Sequence, residues 1–147
     1  SMFSEEDVRF LKENGCTAQE LFDFVDDGQD WGEPDFDTVL QVQSIRRDYF
    51  LNTLGGSNSG KIASMENLPS KDEALDGIVW LPRIIRKARL KLLGEMPDEL
   101  MYGCGGDRAF VKKVNMTLPQ FLILVRDSGD DARRIVEAVK SAISAVA

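Results

Sequence analysis

The chain is read as an all-α fold, and three observations predict it. Helix-opening signals recur along the sequence, glycines stand where helices would stop, and apolar and polar residues almost nowhere alternate as a half-buried strand requires. Ser4 with Asp7, Thr17 with Glu20, Ser70 with Glu73 and Thr117 with Gln120 each place a hydroxyl three residues ahead of an acceptor side chain. Gly15, Gly28, Gly55, Gly94 and Gly129 supply the stops, because glycine enters the left-handed conformation without a side-chain clash. These marks predict helices near 5–14, 18–27, 36–54, 71–76, 82–93, 107–114, 118–127 and 130–145.

The middle helix shows the periodicity most plainly. Val39, Val42, Ile45, Tyr49 and Phe50 recur at spacings of three and four, leaving Arg46, Arg47 and Asp48 to point elsewhere. Ser70 and Glu73 open a short helix at 71–76, and Ile78 to Leu81 is four apolar residues ended by Pro82, an extended lead-in too short to build a sheet. Over 82–93 one side of the helix gathers Leu81, Ile84, Ile85, Ala88 and Leu92, while Arg83, Arg86, Lys87 and Arg89 spread over the rest.

Residues 7–30 align with residues 107–130 at an offset of one hundred, with seven of twenty-four positions identical, among them Phe10/Phe110, Thr17/Thr117 and Val25/Val125. Each copy reads as helix, tight turn, capped helix. One such hairpin cannot bury its apolar face alone. The expected architecture is a single compact helical domain with hairpins 7–30 and 107–130 around the long middle helix. A DNA-reading helix-turn-helix is excluded, since the second helix of the first copy carries Glu20, Asp23, Asp26 and Asp27 and that of the second is nearly all apolar.

Composition bounds the rest. A length of 147 residues with 43% hydrophobic content suits one core, so residues 1–147 read as one domain: an acidic helical part at 1–54, a connector at 55–70 and the remainder at 71–147. Ser1 ahead of Met2 reads as an expression remnant. No apolar run reaches the ~18 to 20 residues of a membrane-spanning helix, and no leader opens the chain. The expectation is a soluble, cytoplasmic protein without membrane contact. Cys16 and Cys104, the only cysteines, make no disulfide scaffold. Histidine is absent, which removes Ser-His-Asp and Cys-His catalysis and imidazole as a metal ligand. No metal or cofactor is expected.

Charge is unevenly spread: residues 1–40 hold twelve acids and two bases, whereas residues 41–147 hold sixteen bases and thirteen acids, for an overall net charge of -7. Two readings stand. The acidic third offsets the basic helix within the molecule, or the basic face stays open for an anion. Nucleic acid is not expected, because this balance and one short basic arc give little counterion release.

The loop Gly55 to Lys61, GGSNSGK, brushes against the phosphate-binding pattern G-x-x-x-x-G-K-S/T, but Ile62 replaces the magnesium-holding hydroxyl and the loop follows a helix instead of a strand. It reads as a flexible connector. Five Lys/Arg occupy nine positions from Arg83 to Lys91. Leu90 falls inside the basic arc with Leu93 beside it, an arrangement that suits a partner surface as well as packing under the loop 94–106. With Trp80, these leucines also raise a homodimer.

The run LPRIIRKARLKLLGEMPDELMYGCGGDRAFV resembles the signature of domain of unknown function 5069, a family of small bacterial proteins with an LPR, a K-A-R, a glycine, a Tyr-x-Cys and an Asp ahead of an apolar helix. The resemblance covers roughly residues 76–140 within the part at 71–147 and falls on Leu81, Pro82, Arg83, Lys87, Ala88, Arg89, Gly94, Tyr102, Cys104, Asp107 and Phe110. Gly105 and Gly106 stand where the pattern leads one to expect proline and leucine. The family has no established activity, so the resemblance implies a fold and a candidate site.

Read from the residues alone, a turn MYGCGGDR folded back on the basic helix would present the N–H groups of Gly103, Gly105 and Gly106 as an anion cradle completed by Arg83, Arg89 and Arg108, with Lys87 and Tyr102 beside it. Cys104 near such charge would have a lowered thiol pKa. The structural alternative has Asp107 capping the next helix and pairing with Arg83 or Arg89, Tyr102 packed and Cys104 a small buried hydrophobe. The expected function is a non-enzymatic interaction or regulatory module that binds an acidic partner or small anionic ligand through helix 82–93 and glycine turn 103–106. The alternative is an enzyme using Cys104 or an Arg-bound anion, with Asp107 or Tyr102 in proton transfer.

Overall fold

The computed structural model describes residues 3–145, so Ser1 and Met2 lie outside the described residues. The helices are α1 (Glu5–Glu13), α2 (Ala18–Trp31), α3 (Phe36–Asp48), α4 (Leu81–Leu93), α5 (Gly105–Lys113), α6 (Leu118–Ser128) and α7 (Ala132–Ser144). The all-α expectation holds. No described helix is long and apolar enough to cross a membrane.

Local sequence accounts for most boundaries. Capping boxes close at Ser4–Asp7, Thr17–Glu20 and Thr117–Gln120, with the hydroxyl taking the third helical N–H and the acceptor side chain reaching back to the cap's own N–H. The middle helix covers the expected span but changes pitch, running as α3 to Asp48 and as a π-turn over Tyr49–Thr53. Two expectations fail. Gly28 does not stop α2, which continues until Gly32 takes the left-handed conformation at φ 70. Residues 71–76 are not helical: Ala74–Leu75 (β1) and Ile78–Val79 (β2) form an antiparallel ladder around Asp76 and Gly77, both at positive φ. An Asp-Gly pair between apolar residues is a strong hairpin signal, and it overrides the weaker Ser70–Glu73 cap.

Helix α6 is the hub of the core and packs against α3, α4, α5 and α7. Phe121, Leu122 and Val125 on α6 meet Ile84 and Ala88 of α4, Phe110 and Val111 of α5 and Ile135 and Val139 of α7 in one buried cluster. The middle helix joins both hairpins: Gln43 donates to Cys16 and Arg47 to Asn14 on one side, while α6 lies on the other.

The two hairpins repeat each other in backbone geometry. Gly15 at φ 75 and Asn115 at φ 61 turn the chain, Cys16 N donates to Leu11 O at 2.8 Å, and Met116 N donates to Val111 O at 2.7 Å. Burial does not repeat. Helix α1 buries no residue and α2 only Phe24, so the core is drawn mainly from the second hairpin and its neighbours.

Charge holds the first hairpin to this core. Lys91 of α4 pairs with Glu20 at 2.8 Å, Arg108 of α5 with Asp27 at 2.8 Å, and Lys112 with Glu33 at 2.7 Å. The acidic third therefore offsets the basic half internally. Burial raises the pKa of Glu20, but the Lys91 charge, its hydrogen bond and the Thr17 N–H together outweigh it and leave the carboxyl below its ordinary 4.5. A depressed carboxyl contributes stability above its unfolded pKa and loses it as pH falls through the folded one. Urea stability should accordingly decline below pH 4.5, with a shallower decline in Glu20→Gln. Equal acid slopes in the two proteins would remove Glu20 from this account.

Candidate functional site

Six of the eight site residues expected from the sequence meet where α4 crosses the start of α5. The focal group is Asp107, at 0% exposure. Its Oδ2 accepts from Lys87 Nζ at 2.5 Å and from Gly103 N at 2.9 Å, and its Oδ1 accepts from Trp80 Nε1 at 2.8 Å. Lys87, at 2% exposure, also donates to Cys104 Sγ at 3.2 Å. Tyr102 donates its hydroxyl to Leu118 O at 2.7 Å, and Arg108 spans Gly103 O and Asp27.

The local sequence explains how these groups converge. Cys104, and not Asp107, is the residue before α5; its side chain makes no cap bond. Asp107 is the third residue of the helix and reaches back to Gly103 N, so one of the N–H groups expected in an anion cradle is filled by the protein itself. Gly106 must be small: a Cβ there would lie 2.5 Å from the Trp80 ring. Trp80 is held at φ 78, a strained conformation for a bulky residue, by its bond to Asp107 and by Arg83 stacked 5.8 Å from its ring centre. Of the glycine pair that departs from the expected proline and leucine, Gly106 thus has a packing role.

Arg83 and Arg89 do not join the cluster. Arg83 donates to Pro69 O at 3.0 Å and Arg89 to Gly129 O at 3.1 Å. Neither forms the expected pair with Asp107, because Lys87 occupies that place. Helix α4 also has no fully exposed cation, since Arg83, Arg86 and Arg89 are half-buried. Leu90 is 2% exposed, and Lys87 and Lys91 are equally buried, since neighbours enclose α4 on several sides. Leu90 is spent on the fold.

Chemically, the cluster is saturated. Three donors surround Asp107, and both oxygens of the carboxylate are used. Burial, then the Asp107 charge, pushes the Tyr102 hydroxyl well above its ordinary pKa, so it stays protonated as the donor to Leu118 O. Removing one partner strands a buried charge. Lys87→Met should cost about 3–5 kcal/mol, and Trp80→Phe, which leaves Asp107 Oδ1 short of a donor, about 1–3 kcal/mol. Urea denaturation measures both, and changes under half a kilocalorie would contradict a structural clamp.

Sequence reasoning missed Trp80 as a partner of Asp107 and placed Arg46 on an outward face. The signal for Trp80 was the small Gly106 beside a conspicuous Asp. Arg46 gave none, because a lone arginine in an amphipathic helix reads as solvated.

No curated protein and no solved structure matches the chain. The family model described as domain of unknown function (DUF5069) matches residues 65–145, which takes in α4 through α7 and the whole Lys87–Asp107–Cys104 cluster. The chain belongs to that family.

Proposed function

We propose that the protein is a non-enzymatic interaction module whose first hairpin docks a partner segment that is basic and partly apolar. One observation carries this reading. At positions where the second hairpin buries Phe110, Leu122 and Val125, at 5%, 0% and 2% exposure, the first leaves Phe10, Phe22 and Val25 at 65%, 39% and 39%. The two turns share backbone hydrogen bonds and capping boxes, so the same helix faces are compared. A surface of this kind suits a partner that supplies the missing apolar cover. Acids of the same two helices, among them Glu5, Glu6, Asp26 and Asp30, outnumber the bases Arg9 and Lys12, which favours cations on that partner and disfavours a second copy of the same acidic hairpin. An acidic partner on α4 finds less support, since Arg83, Lys87, Arg89 and Lys91 already face internal acceptors.

The test is affinity capture with the wild type, with Phe10→Ser/Phe22→Ser and with Arg83→Ala/Arg89→Ala. The expected result is a basic partner held by the wild type and by the arginine variant and lost from the serine variant. Capture unaffected by the serine changes would overturn the proposal.

A second reading, an enzyme using Cys104 with Asp107 or Tyr102 or an Arg-bound anion, draws on the Lys87 ammonium 3.2 Å from a half-buried thiol. Iodoacetamide labelling separates the two. Burial, with Glu20 next, pushes the Cys16 thiol up to about 11, so at pH 7 only about one part in ten thousand is thiolate and it labels slowly. Under the interaction reading Cys104 in Cys16→Ser also labels more slowly than a free thiol at neutral pH. Labelling much faster than a free thiol would favour the enzyme.

A further inference from the structure

A cleft of about 820 Å³ lies between the first hairpin, the loop Gly56–Ile62 and the segment Gly94–Leu100, well separated in its lining from the Lys87–Asp107 cluster. The size falls within the range of small-ligand sites. Among its lining residues is Arg46, which is 1% exposed. Arg46 Nη2 donates to Asn58 Oδ1 at 2.8 Å, while its Nε and Nη1 are buried with no hydrogen-bond partner among the described residues. The guanidinium sits over the Phe50 ring at 5.3 Å. Burial disfavours its charge, and Glu20, whose field supports it, spends its oxygens on Lys91 and the Thr17 N–H.

A buried guanidinium with two nitrogens unmatched is costly unless something else is built to meet it. Its present partner is easily replaced. Asn58 lies exposed on a loop in which Gly55, Gly56 and Gly60 all have positive φ. Its amide oxygen is the planar kind that a carboxylate presents, with one oxygen where a carboxylate has two. The position also demands Gly94, at φ 69, because a side chain there would strike Arg46 and Asn58. Glycine at this motif position therefore serves the cleft as well as ending α4.

The rest of the lining sets the ligand class. Glu13, Glu20, Asp23 and Asp98 balance Arg9, Lys12, Arg46 and Lys61. A multiply charged anion would gain from one set and be repelled by the other. A single negative charge can sit on Arg46 alone, and Phe50, Met96 and Pro97 offer apolar contact beside it. We propose that this cleft binds a small organic monocarboxylate, whose carboxylate takes the place of the Asn58 amide on Arg46 while its apolar part lies against Phe50 and Met96. Phe10, Phe22 and Val25 of the docking surface do not line this cleft, so the proposal does not rest on that surface.

Benzoate and hexanoate are the probes, with inorganic phosphate as the contrasting anion, titrated into the full chain and followed by backbone and arginine Nε–H NMR signals. Saturable shifts of Arg46 Nε–H, Gly15 and Gly94 are expected with one of the carboxylates, with phosphate at least about tenfold weaker. Asn58→Ala, whose fold the same backbone spectrum checks, should tighten carboxylate binding by roughly two- to tenfold because no amide has to be displaced. Arg46→Lys should weaken it about tenfold, since an ammonium cannot make the paired contact. No saturable shift with either carboxylate in wild type and Asn58→Ala overturns the proposal. Binding unchanged in Arg46→Lys, or phosphate binding as tightly as the carboxylates, overturns it too.

Discussion

Asp107 places a carboxylate where water does not reach, and the family-matched half of the fold is arranged to satisfy it. A carboxylate in that setting needs donors on every side. Lys87 comes from the second turn of α4, Gly103 from the turn before α5 and Trp80 from the residue ahead of α4. One side chain therefore fixes where α4 starts, where α5 starts and how far apart they lie. The strained Trp80 backbone and the small Gly106 are consequences of bringing an indole N–H to that carboxylate. The neighbouring Arg108 carries the constraint outward to Asp27 on α2.

The uneven charge along the sequence has the same kind of origin. Cations of α4 and α5 emerge from the apolar core on its first-hairpin side, and the acids of α2 and the following turn meet them. Such half-buried pairs between separate elements fix position more than they add stability. The first hairpin has little else to hold it, with Phe24 as its single deep apolar anchor. Lys91 shows the two roles together: it pairs with Glu20 and lies 5.3 Å from the Phe24 ring centre.

What could be read from the sequence was what local chemistry decides. Capping residues and the long amphipathic stripe report on their own helix, so Thr17, Thr117 and Val42 stand as expected. Lys87, Tyr102, Cys104 and Asp107 could be grouped because the motif preserves their spacing. The partner of Asp107 was misread because Arg83, Lys87 and Arg89 stand within two turns of one another and look alike until the packing of α4 against α5 is known. Gly28 was misread because glycine permits a helix to end without requiring it. The Arg46 cleft was invisible for a deeper reason: three segments far apart in sequence make it, and no single segment bears its mark.

The repeated turn with unequal burial bears on how the molecule opens. Cooperative units of a protein unfold at free energies that follow their buried apolar contact. The second hairpin shares the core and opens with it. The first rests on polar links and one phenylalanine, so it forms a unit of lower stability that can detach while α3 to α7 stay folded. Amide exchange would sort the two copies of one backbone motif into different protection classes, and the wall of the Arg46 cleft belongs to the copy that breathes.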